Sequence, residues 1–146
     1  MLALKEITNA LGGQKLLGRK VESQLDVSDL ILAGLPSKSA FFLQNILTLG
    51  DDEYAQALGV SSKWLGRYRK TPKAHLDAHV SDRLYRIARL FKLAAEVLES
   101  DQAANEWLHQ PQIALSERTP LELMRTEAGT KEVEELLYRI EYGLYS

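Results

Sequence analysis

Residues 51 to 70 read DDEYAQALGVSSKWLGRYRK. Two crossed helices joined by a tight turn need a small residue at the crossing, a glycine that tolerates positive φ, and apolar residues pinning the pair together. Ala55 is the small residue, Gly59 follows four positions later, and Tyr54, Leu58, Val60, Leu65 and Tyr68 take the inward positions. Asp51, Asp52 and Glu53 fall at the positive end of the first helix, where carboxylates are stabilising. Ser61 is placed to cap the second helix, with Val60 before it packing on Leu65 as a hydrophobic staple. The stretch therefore reads as a helix-turn-helix. Its second helix turns Ser61, Ser62, Lys63, Gly66, Arg67 and Lys70 outward, residue types that contact phosphates or base edges. Ser61, Ser62, Lys63, Arg67 and Lys70 are the expected DNA-binding residues. Arg67 is assigned to a base, because a guanidinium bonds guanine bidentately, and Ser61, Lys63 and Lys70 to phosphates. Gly66 costs about 1 kcal/mol in mid-helix; it either admits a sugar-phosphate strand or is neutral. Trp64, on the helix flank, is assigned to packing.

The charge distribution points the same way. The 146-residue chain is net -2, yet residues 61 to 92 carry nine basic and two acidic side chains, net +7, and residues 93 to 146 carry four basic and eleven acidic, net -7. A basic middle beside an acidic end suggests two surfaces with different partners, one of them polyanionic. Hydrophobic residues at 45% and charged residues at 26% are ordinary globular values and exclude wholesale disorder. The absence of cysteine removes disulfide frameworks, thiolate zinc sites and cysteine nucleophiles, and fits a reducing compartment, so a cytoplasmic location is expected. Lys5 and Glu6 interrupt the apolar start, and no run of about 18 apolar residues occurs, so neither a signal peptide nor a membrane span is expected.

Outside the central motif, apolar residues recur at helical spacing and strand alternation is nowhere sustained, which makes the fold class all-α. Ser37 is expected to cap a helix with Ala40, Leu43, Ile46 and Leu47 inward, ended by Gly50. Ser81 is expected to cap a long helix whose stripe is Leu84, Ile87, Ala88, Phe91, Ala94, Ala95 and Leu98, with Arg83, Arg86, Arg89 and Lys92 opposite. Thr119-Pro120-Leu121-Glu122 is a capping box with proline at the first helical position. Gly129 is expected to stop that helix, Thr130 to cap a last one with Val133, Leu136, Leu137 and Ile140 inward, and Gly143 to close it. Three segments result: an N-terminal helical segment over 1–36, a DNA-binding and dimerisation domain over 37–100, and a C-terminal domain over 101–146. Dimerisation follows from reach, since one recognition helix reads only a few base pairs and specificity normally requires two half-sites.

Catalytic signals are weak. His75 and His79 are spaced i, i+4, but Leu76 stands where a hydrolytic zinc helix needs glutamate, and the only other histidine is His109, so no metal site is assigned. Neither a phosphate-binding glycine loop nor a nucleophile elbow is present; no enzyme activity and no cofactor are expected.

The C-terminal third carries a second set of motifs, AANEWLHQP from 103 and ALSERTPLELMRTEAGTKEVEELLYRIEYGLYS from 114. Read physically, it is three short helices anchored by Trp107 and Leu108, by Leu121 and Leu123, and by the Val133 stripe, with Tyr138 finishing the core and an acidic remainder exposed. The segment resembles the toxin-binding domain of the Xre/MbcA/ParS family of bacterial antitoxins. The resemblance rests on Trp107-Leu108 followed by Pro111, on Thr119-Pro120-Leu121, on Thr126 to Gly129, and on the ending Arg139-Ile140-Glu141-Tyr142-Gly143. With the helix-turn-helix it covers about residues 25 to 146. One departure is that family members often carry Gly-Gly where Leu115-Ser116-Glu117 stands here.

The resemblance implies a type II antitoxin that silences a co-expressed toxin and represses their operon. The ending RIEYGLYS looks most like antitoxins paired with RES-domain toxins, which deplete NAD; relatives pair with toxins that transfer ADP-ribose. In the family the C-terminal domain covers the toxin's cleft, and this role carries onto Arg139, Glu141, Tyr142, Gly143, Tyr145 and Ser146. An acidic, aromatic ending suits a cleft built for a pyrophosphate. The implied partners are a RES-domain toxin, operator DNA and a second copy of the chain. The alternatives are an antitoxin of an ADP-ribosyltransferase and a regulator without a toxin.

Overall fold

A computed structural model describes residues 2–143 and shows ten α-helices, with no strand among the described residues. The all-α reading is correct. The chain divides into two compact units, residues 1–88 and 89–146.

In the first unit, α1 (Leu4–Ala10) and α2 (Gly13–Leu17) pack on each other and on α4 (Ser37–Leu47). Helix α3 (Gln24–Ala33) starts at Ser23, whose hydroxyl accepts the Asp26 amide. The helix-turn-helix is α5 (Asp51–Leu58) and α6 (Ser62–Arg69), and α6 also packs on α4. Gly59 makes the turn between them at φ 73°, a conformation that favours glycine. Ala55, Leu58 and Leu65 are buried at the crossing. Tyr54 is buried too, and its hydroxyl donates to the Ala40 carbonyl; burial holds that phenol well above its ordinary pKa. Behind the turn, Arg83 donates to the Leu58 carbonyl at 3.3 Å.

Helix α7 (Ala78–Leu98) carries the long apolar stripe: Leu84, Ile87, Ala88, Phe91 and Ala94 are buried, together with Tyr85, Leu90 and Leu93. In the second unit, α8 (Asp101–Leu108), a 3-10 turn at Ile113–Leu115, α9 (Pro120–Leu123) and α10 (Glu127–Tyr142) enclose a small core of Leu108, Leu121, Met124, Val133 and Leu137. Salt bridges join Arg89 to Glu134 at 2.7 Å and Lys92 to Asp101 at 3.0 Å.

Four local expectations are corrected. Ser37 is the first residue of α4 rather than its cap; buried, it donates to the Thr71 carbonyl at 3.1 Å. That helix ends at Leu47, with Thr48 left-handed, and Gly50 precedes α5 as its N-cap. Asp77, not Ser81, caps α7, taking the Val80 amide at 2.9 Å, while buried Ser81 accepts the Leu35 amide at 2.8 Å. Gly129 does not stop a helix: Thr126 caps α10 by accepting the Gly129 amide, and Gly129 lies inside the first turn with Thr130 buried beside it.

Candidate functional site

The outward face of α6 is built on a clamp. At the end of α6, Arg69 reaches back to Asp51 at the start of α5 with two hydrogen bonds, 2.8 and 3.0 Å, and donates to Gln44 of α4 at 3.2 Å. Its guanidinium also lies 4.7 Å from the Phe41 ring centroid. Gln44 donates to Asp51 at 2.7 Å and to the Leu49 carbonyl at 3.1 Å. Arg69 and Gln44 together hold the Asp51 carboxyl below the usual carboxylate range. The two ends of the helix-turn-helix are thereby tied to one another and to α4. Arg69 escaped the sequence reading as a structural residue; its offset of 18 from Asp51 is the span from the first residue of one short helix, across the turn, to the last residue of the next.

On this frame Lys63, Arg67 and Lys70 are exposed and make no ion pair among the described residues. Lys73 is exposed in the segment that follows. Ser61 caps α6 through the Trp64 amide at 3.0 Å and remains at the surface. Ser62 is half-buried and donates to Asp52, so its hydroxyl is already occupied. Trp64 stacks on Tyr68 with centroids 4.1 Å apart, and Tyr68 is half-buried rather than core. Beside this pair a side chain added at Gly66 would meet nothing within 4 Å. The resulting surface is a ridge of three cations with an open notch at Gly66, able to lie against a polyanionic strand.

The second surface is the outer side of α10. Its inner positions Val133, Leu136 and Leu137 are buried, whereas Glu132, Glu135, Arg139, Glu141 and Tyr142 are exposed. Tyr142 is 69% exposed, and Gly143 closes the helix in the left-handed conformation. Arg139 lies 3.6 Å from Glu135. Tyr138, expected in the core, is 41% exposed one turn before Tyr142. Partial burial and the neighbouring Glu134 push its phenol up, opposed by Arg89. The correction has a simple cause: the buried arc of α10 runs through Val133, Leu136 and Leu137, and Tyr138 falls outside it. Two phenol rings and a row of carboxylates form a face suited to a basic, partly apolar cleft. Tyr145 and Ser146 lie outside the described residues.

The loop leading to α9 connects with the family departure noted above. Ser116 and Glu117 both adopt positive φ, 57° and 66°, where glycine is the least strained residue. The loop is closed by pairing of Gln112 with Arg118, whose carbonyl accepts the Gln112 amide at 3.0 Å.

Two family models match the chain: the antitoxin Xre-like helix-turn-helix domain over residues 26–89, and the antitoxin Xre/MbcA/ParS C-terminal toxin-binding domain over residues 93–143. Antitoxin Xre of Photorhabdus laumondii is 30% identical over 114 residues, 77% of this chain and 76% of the relative. The chain belongs to the Xre antitoxin family. Antitoxin Xre of Yersinia enterocolitica is 33% identical over 95 residues, 64% of each chain, so the match spans just under two thirds of that relative's length. Antitoxin Xre of Pseudomonas putida is 38% identical over 68 residues, 47% of this chain and 43% of its own. A chain of the M. tuberculosis MbcT-MbcA toxin-antitoxin complex superposes with a TM-score of 0.54 at 22% identity, covering 75% of this chain and 96% of that one; this is a likeness of fold. As an Xre-family member the chain presents its two surfaces on the two segments the family models recognise, α6 on one and α10 on the other.

Proposed function

We propose that this chain is a cytoplasmic, non-catalytic antitoxin. It binds operator DNA as a homodimer through α6 and blocks a RES-domain, NAD-depleting toxin by laying the end of α10 over the toxin's active site. The observation that carries the toxin half is the exposed acidic and aromatic face of α10, whose opposite side is locked into a core. Tyr142, 69% exposed beside Glu141, and Tyr138, 41% exposed one turn earlier, place two aromatic rings on that face within reach of a partner. Arg139, Glu141, Tyr142 and Gly143, continuing into Tyr145 and Ser146, would fill the cleft, with Glu141 facing cations that otherwise hold the NAD pyrophosphate. The fold likeness to a chain from a toxin-antitoxin complex supports a toxin partner, and the RIEYGLYS ending supports the RES class.

For the DNA half, Lys63, Arg67 and Lys70 are free cations on a clamped helix. With Lys73 they offer four phosphate or base contacts per protomer. Binding through up to eight cations per dimer predicts a slope of log K against log salt no steeper than about -7.

The test is to co-purify the chain with the product of its neighbouring gene and to follow NAD with the neighbour alone and with both. NAD loss only in the absence of this chain supports the reading. NAD untouched by the neighbour alone overturns the RES assignment, and protein ADP-ribosylation in its place moves the toxin to the transferase class.

A further inference from the structure

In a helix-turn-helix the N-terminal residues of the second helix are the ones that meet base edges in the major groove. At the start of α6, Ser61 spends its oxygen on the Trp64 amide as the cap, and the Ser62 hydroxyl is drawn to Asp52 of α5. Lys63 and Trp64 are the first-turn side chains left to read a base. Lys63 and Arg67 stand one helical turn apart, and Trp64 and Tyr68 follow one residue behind them, so an aromatic row runs beside the cationic ridge.

Trp64 does more than the packing its flank position suggests. Leu65, the next residue, is the one buried at the crossing, whereas the Trp64 ring is half-buried and stacks on Tyr68 of the same helix, with 4.1 Å between centroids and 28° between planes. Neither the indole N–H nor the Tyr68 hydroxyl makes a hydrogen bond among the described residues, although a tryptophan buried for packing usually finds a partner for its N–H. The ring is also fixed before any partner arrives. The Ser61 cap holds the start of α6, the Arg69–Asp51 pair holds its end, and Tyr68 holds the indole, so little side-chain freedom is left to lose on binding.

We infer that Trp64 is a specificity-determining residue of α6, its ring lying on the C5-methyl group of a thymine. This inference rests on the operator binding proposed above and names one base that the helix reads. Purine and cytosine edges offer hydrogen-bonding atoms in the major groove, and these suit Lys63 and Arg67; the thymine methyl is the apolar group that a base pair presents there, and it suits a ring. Tyr68 is the positioning residue behind that ring.

The test uses the full chain and the DNA upstream of its gene, cut to the segment that the chain protects from nuclease. Replacing each thymine there by uracil removes one methyl group and nothing else. At one thymine of a half-site the replacement should weaken binding about fourfold, the worth of one methyl group returned to water. Trp64→Ala should bind the thymine and uracil operators equally, and its affinity for unrelated DNA should stay within about twofold of wild type, because Lys63, Arg67 and Lys70 still meet phosphates. Trp64→Phe keeps a ring over the methyl group and should keep most of the thymine preference. In Trp107→Phe, Trp64 is the sole tryptophan, and its fluorescence should be quenched by the operator. That measurement leaves position 64 untouched and decides the matter whether or not Trp64→Ala folds. An operator with no methyl-sensitive thymine, a thymine preference that persists in Trp64→Ala, equal loss of operator and unrelated-DNA affinity in that variant, or Trp64 emission unchanged at saturating operator each overturns the assignment while operator binding stands. A wild-type chain that holds the upstream DNA no better than unrelated DNA overturns the operator reading itself.

Discussion

Replacing Gly129 by alanine should destabilise the chain, although helix propensity says the opposite. Gly129 has helical backbone in the first turn of α10, where alanine is favoured over glycine by roughly 0.5–1 kcal/mol. An added Cβ would lie 2.0 Å from the Leu123 carbonyl oxygen, 2.8 Å from its carbonyl carbon and 3.0 Å from its Cα. All three are backbone atoms at the end of α9, so no side-chain rotation clears the methyl group. Helix α9 is itself pinned by the Thr119 cap and by buried Pro120 and Leu121, and must shift by about an ångström to restore contact distance. Overpacking of this kind costs about 1–3 kcal/mol. A 2.0 Å approach to backbone belongs in the upper part of that range, about 2–3 kcal/mol, so with the propensity gain set against it the net loss is about 1–2.5 kcal/mol, a fall in Tm of about 2–10 °C for a chain of this size. Gly66→Ala is the control: it is also helical, meets nothing within 4 Å, and should raise Tm by about 1–4 °C. Thermal unfolding followed by circular dichroism measures both. A Gly129→Ala protein as stable as wild type, or two shifts of the same sign, would refute the claim that close backbone approach is what places glycine at 129.

Arg67→Ala should lower the ratio of operator to non-specific DNA binding by about 10–100-fold while toxin neutralisation persists, since α6 and α10 lie in different units; unchanged sequence preference in a binding assay would contradict it. Glu117→Gly should stabilise the chain by about 0.5–1 kcal/mol by relieving a left-handed conformation, seen as a higher denaturation midpoint with unchanged slope. Asp51 has a folded pKa below its unfolded value of about 3.9, so its clamp contributes stability above that pH and loses it as pH falls through the folded value. Asp51→Asn should therefore cost about 0.5–1 kcal/mol at pH 7, the range for a pair whose side chains are 42% and 46% exposed, and the gap from wild type should narrow below about pH 4 in urea titrations.

The helix-turn-helix was legible because every device that builds it is local: Ala55, Gly59 and Ser61 act within a few residues of where they stand. The misplaced caps share one physical origin. Ser37 and Ser81 carry hydroxyls at helix starts, as caps do, but their partners are backbone groups 34 and 46 residues away. A buried first-turn hydroxyl and an exposed cap look identical in a short window, and only the tertiary fold tells them apart. Gly129 failed in the same way, as a glycine needed for close approach reads like one needed for a stop. At Ser116 and Glu117 the loop adopts the left-handed conformation that glycines would suit, which local sequence does not announce when neither residue is glycine.

Charge is where reading along the chain and reading through space part company. Of the nine cations between residues 61 and 92, Arg69, Arg89 and Lys92 are taken up by Asp51, Glu134 and Asp101, and Arg83 by the Leu58 carbonyl. Arg86 is half-buried, with its Nε out of contact with water. What remains at the surface is Lys63, Arg67, Lys70 and Lys73, a group of four that lies on or directly after α6. The +7 of the segment therefore overstates the charge available to DNA and says little about where it sits. The -7 of the last third is likewise drawn down by Glu134 and Asp101, yet Glu132, Glu135 and Glu141 stay exposed along the helix that carries Tyr138 and Tyr142. Internal pairing thus removes charge mainly from α7 and leaves it on α6 and α10, so a segment sum too coarse to locate either surface still reports the opposite signs of the two that are left.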